Sequence, residues 1–324
     1  MAAMDLSDST ILLTGGTGSF GNAFIKRVTA EWPSATIRVF SRDELKQHDM
    51  RARLGDGNLR YILGDVRDRD RLRRAANGVD YIIHAAAMKQ VPACEYNPFE
   101  AVQTNVLGAQ NIVDVAIDAG VHRVVALSTD KAVNPVNLYG ATKLCAEKII
   151  VQGNAYAAGA DTRLSCVRYG NVIGSRGSVV PVFQRQAEEG RITITDDRMT
   201  RFWITLTEAV ELVFYAMERS RGGEIYIPKI PSMNINDLAD AIAPDVPREV
   251  TGIRPGEKLH ELLLTADEAR HAIETDDKYI VMPEHPWWDA GAVGEGKPLH
   301  DGFTYASNTN DAWLDVAALM ELIG

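Results

Sequence analysis

The chain has 324 residues, 46% of them hydrophobic, a formal net charge of −10 and three scattered cysteines. This length and apolar content suffice for one large α/β domain with a smaller appendage, whereas the negative charge argues against a general nucleic-acid-binding surface, which needs clustered Lys and Arg. No stretch approaches the ~18 uninterrupted apolar residues of a membrane span, and the start lacks a secretory signal. The cysteine spacing predicts neither a metal site nor disulfides. We therefore expect a cytoplasmic protein that binds neither membrane nor metal.

Six short segments rich in β-branched and apolar residues alternate with stretches long enough for helices. They cover residues 10–14, 36–40, 60–63, 81–85, 123–128 and 163–168. This alternation predicts an α/β fold with a doubly wound parallel sheet and helices on both faces. Ligands of such sheets bind beyond the carboxyl ends of the strands. The residues that follow each segment are therefore the candidates for a binding site.

A glycine-rich turn follows the first predicted strand and opens a predicted helix. Glycines let the backbone approach a pyrophosphate, and a helix N-terminus supplies amide donors with positive partial charge. A tight connection alone would also use glycines, but the strand before and the helix after favour dinucleotide binding. The predicted phosphate-binding residues are Gly15, Thr17, Gly18, Ser19, Phe20 and Gly21.

The end of the second predicted strand bears on the choice of cofactor. An NAD-binding protein usually has an acid there for the ribose diol, whereas this chain has Ser41 and Arg42, which suit a 2′-phosphate. Lys46, one turn on, adds a second positive charge, although an exposed charged turn is the alternative for it. These residues favour NADP, against the nearby acids Asp43 and Glu44.

Small or acidic residues follow the third and fourth predicted strands. Asp65 with Val66, and Ala85 with Ala86, are expected to flank the adenine and the diphosphate, with ordinary packing as the alternative. Lys89 lies shortly after the fourth strand, where it can approach both the cofactor and a substrate.

Tyr139 and Lys143 are four residues apart and follow the fifth predicted strand. On a helix they share a face, so the ammonium is expected to lower the pKa of the phenol. Such a phenol can take a hydroxyl proton while hydride passes to a nicotinamide. Just before this pair, Thr129, Asp130 and Lys131 supply a second acid and base that simple alcohol oxidation does not need. A turn ion pair is the alternative for Asp130 and Lys131.

The rhythm of strands and helices changes after about residue 170. Loop-rich segments follow, with one amphipathic helix near 205–220. We therefore expect an NADP-binding domain over residues 1–170, to which that helix returns, and a smaller, mainly substrate-binding lobe over residues 171–324.

The turn at 14–21 and the Tyr139/Lys143 spacing resemble the extended short-chain dehydrogenase/reductase family, which has a Rossmann-like sheet and a smaller C-terminal lobe. More narrowly, five motifs look like those of the UDP-N-acetylglucosamine 4,6-dehydratases (inverting), which begin pseudaminic acid biosynthesis for flagellin glycosylation. The motifs are LSTDKA at 127–132, NLYGATK at 137–143, RYGNV at 168–172, RMTRFW at 198–203 and GIRPGEKLH at 252–260. Some capsule-pathway relatives have Met at the position of Tyr139, so the tyrosine favours the flagellar type.

The resemblance also implies a substrate and a set of residues that bind it. The substrate is UDP-N-acetylglucosamine, and a homo-oligomer is expected. Arg201 and Arg254 are the natural partners of the diphosphate. A surface salt bridge is the alternative for every residue in this set. The implied substrate-binding residues are Lys89, Asn171, Arg201, Arg254 and Glu257.

The residues and the resemblance suggest one catalytic cycle. Tyr139, assisted by Lys143, takes the O4 proton while C4 is oxidised by NADP, and the C4 ketone makes the C5 proton acidic. Lys131 accepts that proton if its pKa is lowered, and protonated Asp130 donates to the departing O6. Proton return to C5 from the opposite face inverts this centre. Asp130 and Lys131 can exchange roles, because neighbouring groups titrate as a pair.

Two other functions compete with this interpretation. A nucleotide-sugar 4-epimerase or dehydrogenase of the same fold would use Tyr139 and Lys143 but would leave Asp130 and Lys131 without work. A non-catalytic NADP-sensing protein would need the glycines but not the Tyr/Lys pair.

Overall fold

The protein is described by a computed structural model over residues 4–157, 159–175, 178–284 and 296–323. Within these ranges a ten-stranded sheet forms the centre of the fold, in the order β16-β14-β15-β10-β6-β5-β4-β1-β2-β3. Its strands are β1 (Thr10–Thr14), β2 (Thr36–Ser41), β3 (Leu59–Leu63), β4 (Tyr81–His84), β5 (Arg123–Leu127), β6 (Arg163–Val167), β10 (Ile225–Pro228), β14 (Ala272–Glu274), β15 (Lys278–Val281) and β16 (Lys297–Pro298).

The seven neighbouring strands β3, β2, β1, β4, β5, β6 and β10 run parallel. β15 pairs with β10 in the antiparallel direction, and the pairs beyond it are antiparallel too. β2 and β3 lie on one side of β1, while β4, β5 and β6 lie on the other. This doubly wound arrangement confirms the predicted fold class. Each of the six predicted strands is present, with its ends shifted by at most one residue. The carboxyl ends of β1 to β6 therefore meet at one edge of the sheet, where ligands of such folds bind.

Helices cover both faces of the parallel strands. β1 shows why the sheet needs this cover, because Ile11, Leu12 and Leu13 are buried in succession rather than alternately. The elements of the first half are α1 (Ser19–Glu31), α2 (Glu44–Leu54), α3 (Arg69–Ala76), α4 (Val91–Tyr96), α5 (Pro98–Ala101), a π-helix (Val102–Leu107), α6 (Gly108–Asp118), a 3₁₀ turn (Asp130–Ala132) and α7 (Leu138–Tyr156).

The second half builds a smaller apolar core of its own around Met199, Trp203, Met233 and Leu238. α9 (Leu206–Arg219) packs on β5, β6 and α1 in the main domain. The remaining elements are β7 (Asn171–Val172), α8 (Val179–Glu188), β8 (Ile192–Ile194), β9 (Thr200–Ile204), β11 (Ser232–Asn234), α10 (Ile235–Ile242), β12 (Arg248–Val250), β13 (Leu262–Leu264), α11 (Ala266–Ala269), β17 (Tyr305–Ala306) and α12 (Val316–Ile323).

The second half contributes more to the main sheet than a single helix, because β10, β14, β15 and β16 all join it. A division of the chain at residue 170 stays a prediction. Among the helices of the described ranges, none has the length and apolar content needed to cross a membrane.

Candidate active site

A cleft of about 640 Å³ lies at the carboxyl ends of the parallel strands. All the residues predicted to bind the cofactor line it, from the glycine-rich turn to Lys143. The sheet brings them together because they lie at or after the carboxyl ends of five neighbouring parallel strands, β1 to β5. Their binding roles remain predictions, whereas their convergence on one cleft is an observation.

The glycine-rich turn has the shape that a dinucleotide phosphate requires. Gly15 has a φ of +66°, and a Cβ there would lie 2.8 Å from the backbone of Ala85. A Cβ on Gly21 would lie 2.1 Å from the carbonyl oxygen of Gly16. No side-chain hydrogen bond caps the start of α1 at Gly18, and the amino end of a helix attracts an anion through its amide donors and its dipole. The turn therefore fits the diphosphate of a dinucleotide.

Basic side chains occupy the end of the cleft beyond β2. The Arg42 side chain is 55% exposed, and its Nη1 lies 3.6 Å from Asp65 Oδ2. The two acids closest to it are already engaged: Asp65 accepts hydrogen bonds from Arg67, and Asp43 pairs with Lys46 at 2.6 Å. Both carboxylates therefore have a cationic partner, while the guanidinium of Arg42 and the amine of Lys46 are exposed on residues that line the cleft.

α7 carries the Tyr/Lys pair into the cleft. Asn137 caps its start by accepting a hydrogen bond from the Gly140 amide, so Tyr139 lies in the first turn and Lys143 one turn later on the same face. Lys143 is buried, and its Nζ donates to the Leu127 carbonyl oxygen at 2.6 Å.

The expectation that Lys143 lowers the pKa of Tyr139 is wrong in this structure. Burial raises the pKa of Tyr139 to about 12, and the cation that opposes this rise is Lys131, assisted by a hydrogen bond between Tyr139 and Thr129. Burial also lowers the pKa of Lys143. The charges of Asp130 and Lys131 therefore influence the pKa of Tyr139.

That second pair lies on the 3₁₀ turn after β5. Asp130 Oδ1 accepts hydrogen bonds from Thr129 Oγ1 at 2.8 Å and from Lys131 Nζ at 3.0 Å. Lys131 lines the cleft and also approaches Asn171 Oδ1 at 3.5 Å. Asp130 is fully buried behind it, and its Oδ2 has no hydrogen-bond partner within the described residues. A buried oxygen without a partner needs an explanation, although Asp130 itself is not among the residues that line the cleft.

Glu261 completes this cluster, although no motif singled it out. Its Oε1 lies 3.4 Å from Lys131 Nζ. Burial lowers the pKa of Lys131, but the charges of Asp130 and Glu261 raise it by more, so the net shift is upward. The condition under which Lys131 would act as the base, a lowered pKa, is therefore not met in this structure. Only its position in the sequence could have pointed to Glu261 as a site residue, since it directly follows the motif at 252–260.

The predicted substrate-binding residues do not all converge. Lys89 and Asn171 line the cleft. Arg201 is buried outside its lining, and its guanidinium donates to the carbonyl oxygens of residues 200, 258 and 259. The Arg254 side chain is 65% exposed and lies 3.8 Å from Glu257, on a loop that is also outside the lining. Their roles toward a substrate remain predictions.

Gly140 is a functional position that sequence reasoning missed. A Cβ there would lie 2.1 Å from the Lys131 carbonyl oxygen, so only glycine lets α7 pack against the 3₁₀ turn. We expect Gly140→Ala to lower the free energy of unfolding in urea by about 1–3 kcal/mol. Gly108→Ala is the matched control, because its new Cβ meets a Val66 methyl carbon at 3.0 Å rather than backbone. Equal losses in the two variants would contradict this account.

A Rossmann-like sheet, a glycine cradle and a Tyr/Lys pair at the sheet edge define the class of the protein as an extended short-chain dehydrogenase/reductase. The chain belongs to the family described as polysaccharide biosynthesis protein, whose model matches residues 11–283.

Known proteins resemble the chain over most of its length. The UDP-N-acetylglucosamine 4,6-dehydratase (inverting) of Campylobacter jejuni is 48% identical over 322 residues, which cover 97% of this chain and 96% of the relative. A UDP-glucose 4-epimerase of Rickettsia conorii is 44% identical over 282 residues, covering 85% and 83%. The X-ray structure of Pen from Bacillus thuringiensis superposes with a TM-score of 0.90 at 40% identity, covering 99% and 98%.

Proposed function

We propose that the protein is an NADP-dependent UDP-N-acetylglucosamine 4,6-dehydratase that inverts C5. Its product would be UDP-2-acetamido-2,6-dideoxy-β-L-arabino-hex-4-ulose. The observation that carries the proposal is the position of Lys131, backed by Asp130, in the same cleft as Tyr139 and Lys143. One bound sugar can therefore meet an oxidation pair and an elimination pair. The name of the Campylobacter jejuni relative supports the same reaction.

The chain's own residues perform the proton steps. When bound, the dinucleotide accepts hydride from C4 and returns it to C6. Tyr139 takes the O4 proton, and Lys143 anchors that region through its bond to the Leu127 carbonyl. Once C4 is a ketone, Lys131 takes the C5 proton and Asp130 protonates O6, which leaves as water. After reduction at C6, a proton returns to C5 from the opposite face, which completes the addition and inverts this centre.

The division of roles between Asp130 and Lys131 depends on one shared proton. With the pKa of Lys131 raised, that proton rests on the amine. Its transfer across 3.0 Å to Asp130 gives the acid and the base that elimination needs, without changing the net charge of the pair. The opposite division, with the ammonium as acid, uses the same two groups.

Contacts with the substrate are proposed at both ends of the UDP-sugar. Lys89 and Asn171 are positioned in the cleft for the hexose. The exposed guanidinium of Arg254 suits the diphosphate, with Glu257 beside it. Arg201 is proposed to hold the loop that carries Arg254 and Glu257, because its guanidinium donates hydrogen bonds to the carbonyl oxygens of residues 258 and 259.

NADP is proposed over NAD because the guanidinium of Arg42 is exposed at the end of the cleft beyond β2. In this proposal that end binds the ribose of the adenosine half of the cofactor. We expect Arg42→Ala to weaken NADP⁺ binding about tenfold or more, while NAD⁺ binding changes little. Titration calorimetry with both cofactors measures this difference. Arg51→Ala is the matched control, since Arg51 lies on α2 and pairs with Asp56 at 2.6 Å. An equal loss for NAD⁺ would count against 2′-phosphate recognition.

A homo-oligomer is proposed from an exposed apolar surface on consecutive helices. Tyr96 is 88% exposed and Phe99 is 79% exposed, with Val102 and Leu107 nearby in sequence. Such a patch is typical of an interaction site. Light scattering of the purified protein measures the oligomeric state. The resemblance further suggests a cytoplasmic role in pseudaminic acid biosynthesis for flagellin glycosylation.

Mass spectrometry of the product tests the proposed function. Incubated with UDP-N-acetylglucosamine, a dehydratase releases a product lighter by one water. A 4-epimerase is the second candidate, because the Rickettsia conorii relative carries that name. A 4-epimerase gives a product of unchanged mass, and a non-catalytic sensor gives no product. Deuterium at C5 after reaction in heavy water would report the proton exchange that inversion requires.

A further inference from the structure

Glu261 is a buried carboxylate that the proposed cycle does not use. Its side chain is 3% exposed, and its Oε1 lies 3.4 Å from Lys131 Nζ. Its Oε2 is buried without a hydrogen-bond partner in the described ranges, and Lys258 Nζ, at 3.8 Å, is too distant to supply one. Burying a carboxylate is costly unless a cation compensates it, so Lys131 is its main partner.

The backbone of Glu261 is held firmly just before β13. Its amide donates to Ser307 Oγ at 2.9 Å, and the Ser307 amide donates to the Glu261 carbonyl at 2.8 Å. Ser307 Oγ is in turn 2.7 Å from Thr200 Oγ1. These hydrogen bonds connect Glu261 to β9 and to the segment after β17. The backbone that carries its carboxylate is therefore fixed in position relative to Lys131.

The charges around Lys131 show what Glu261 adds. Asp130 and Glu261 are the two carboxylates of the cluster, and Asp130 loses its negative charge whenever it carries the proton for O6. Glu261 takes no part in this proton exchange, so its carboxylate faces Lys131 at 3.4 Å both before and after Lys131 takes the C5 proton. The charged and titratable groups that face Lys131 and Glu261 are Asp130, Tyr139, Arg201 and Lys258.

We propose that Glu261 is a positioning residue for elimination, which orients the amine of Lys131 and stabilises the positive charge that Lys131 gains from C5. This inference rests on the proposed function. The C5–H bond breaks and its proton binds the neutral amine, while the C6–O6 bond breaks and the Asp130 proton leaves with O6 as water. The summed charge of Asp130, Lys131 and Glu261 is the same before and after. A base held by a third, charged group is the arrangement found in catalytic triads.

Glu261→Gln separates this role from a merely structural one. We expect water loss to slow about tenfold to a hundredfold, because the charge that pairs with Lys131 is removed. Oxidation at C4 should continue at the wild-type rate, so reduced dinucleotide accumulates and is seen by its absorbance. A structural role would slow both steps equally, and that result would overturn the proposal.

The pH dependence of water loss gives a second readout. The Glu261 carboxylate raises the pKa of Lys131, so Glu261→Gln should move the limb of the profile that reports Lys131 to lower pH. The direction is the same whether Lys131 acts as base or as acid. Glu261→Asp keeps the charge and should retain a limb close to that of the wild type. An unmoved limb in Glu261→Gln, or an equal shift in Glu261→Asp, would contradict the proposal.

A second buried carboxylate provides the control. Glu224 lies at the amino end of β10, away from the cleft, and accepts hydrogen bonds from Ser220 Oγ and from backbone amides. Glu224→Gln should lower stability and leave the balance between oxidation and elimination unchanged. If Glu261→Gln does not fold, Glu261→Asp alone decides, because its withdrawn carboxylate should slow only elimination. Failure of the wild type to release water would reject the proposed function instead.

Discussion

Asp130→Asn and Lys131→Met each lower the rate of water loss from UDP-N-acetylglucosamine by about a thousandfold, which is the expected scale for a lost general acid or base. Asparagine cannot deliver a proton to O6, and methionine cannot accept one from C5. Both variants should still bind NADP⁺, and Asp130→Asn should still oxidise C4, because Tyr139 and Lys143 are untouched. Lys131→Met should oxidise C4 more slowly as well, because Lys131 is the cation that opposes the rise in the pKa of Tyr139. The measurements are product mass and the absorbance of reduced dinucleotide.

An exposed acid supplies the control for this pair of variants. Asp118 lies on α6 with its side chain 54% exposed and 3.5 Å from Arg69, so Asp118→Asn should turn over like the wild type. Lys131→Met should also unfold more easily, because it leaves Asp130 and Glu261 without their shared cation. Wild-type turnover in both active-site variants would reject the elimination mechanism.

Arg168→Met should lower the free energy of unfolding by about 3–5 kcal/mol, the cost of breaking a buried ion pair. Arg168 is 1% exposed and donates two hydrogen bonds to Glu147, at 3.0 and 2.7 Å, and two to Glu268, at 3.1 and 2.8 Å. It also donates to the Leu263 carbonyl, so one guanidinium joins β6, α7, β13 and α11. Urea denaturation of the two proteins measures the difference.

The matched control for Arg168 is an arginine with the same bidentate geometry on the surface. Arg198 donates to Asp196 at 2.9 and 2.8 Å, but its side chain is 71% exposed. Arg198→Ala should cost no more than about 1 kcal/mol, because water screens the pair. Similar losses for the two arginines would show that burial does not set the energy of the Arg168 network.

Acid should shrink the effect of Arg168→Met. Burial raises the pKa of Glu268, but Arg168 lowers it by more, so the net shift is downward. A carboxylate with a lowered pKa stabilises the fold above its unfolded pKa of about 4.3. That stabilisation is lost as the pH falls through the folded pKa. The difference between wild type and variant should therefore be largest near neutral pH and decrease below about pH 4. A difference that grows in acid would contradict this assignment.

Much of the fold and of the cofactor cleft could be predicted because their signals are local. The alternation of apolar segments with helix-length stretches identified six strands, and a parallel sheet brings the residues after each strand to one edge. The turn from Gly15 to Gly21 combines its strand, glycines and helix within one short segment. The four-residue spacing of Tyr139 and Lys143 likewise needs only the geometry of a helix.

The amino-acid sequence by itself therefore predicted the fold class, the edge of the sheet where the cleft lies, and the place of Tyr139, Lys143 and Lys131 in its lining. Tertiary structure alone decided the electrostatics, because pKa values depend on burial and on neighbours distant in the chain. Glu261 meets Lys131 only through the placement of β13 beside the 3₁₀ turn, where it adds to the larger effect of Asp130 in raising the pKa of Lys131. Folding also turned the Arg201 guanidinium toward backbone carbonyls and left Tyr139 half-buried in the cleft, which no local pattern encodes.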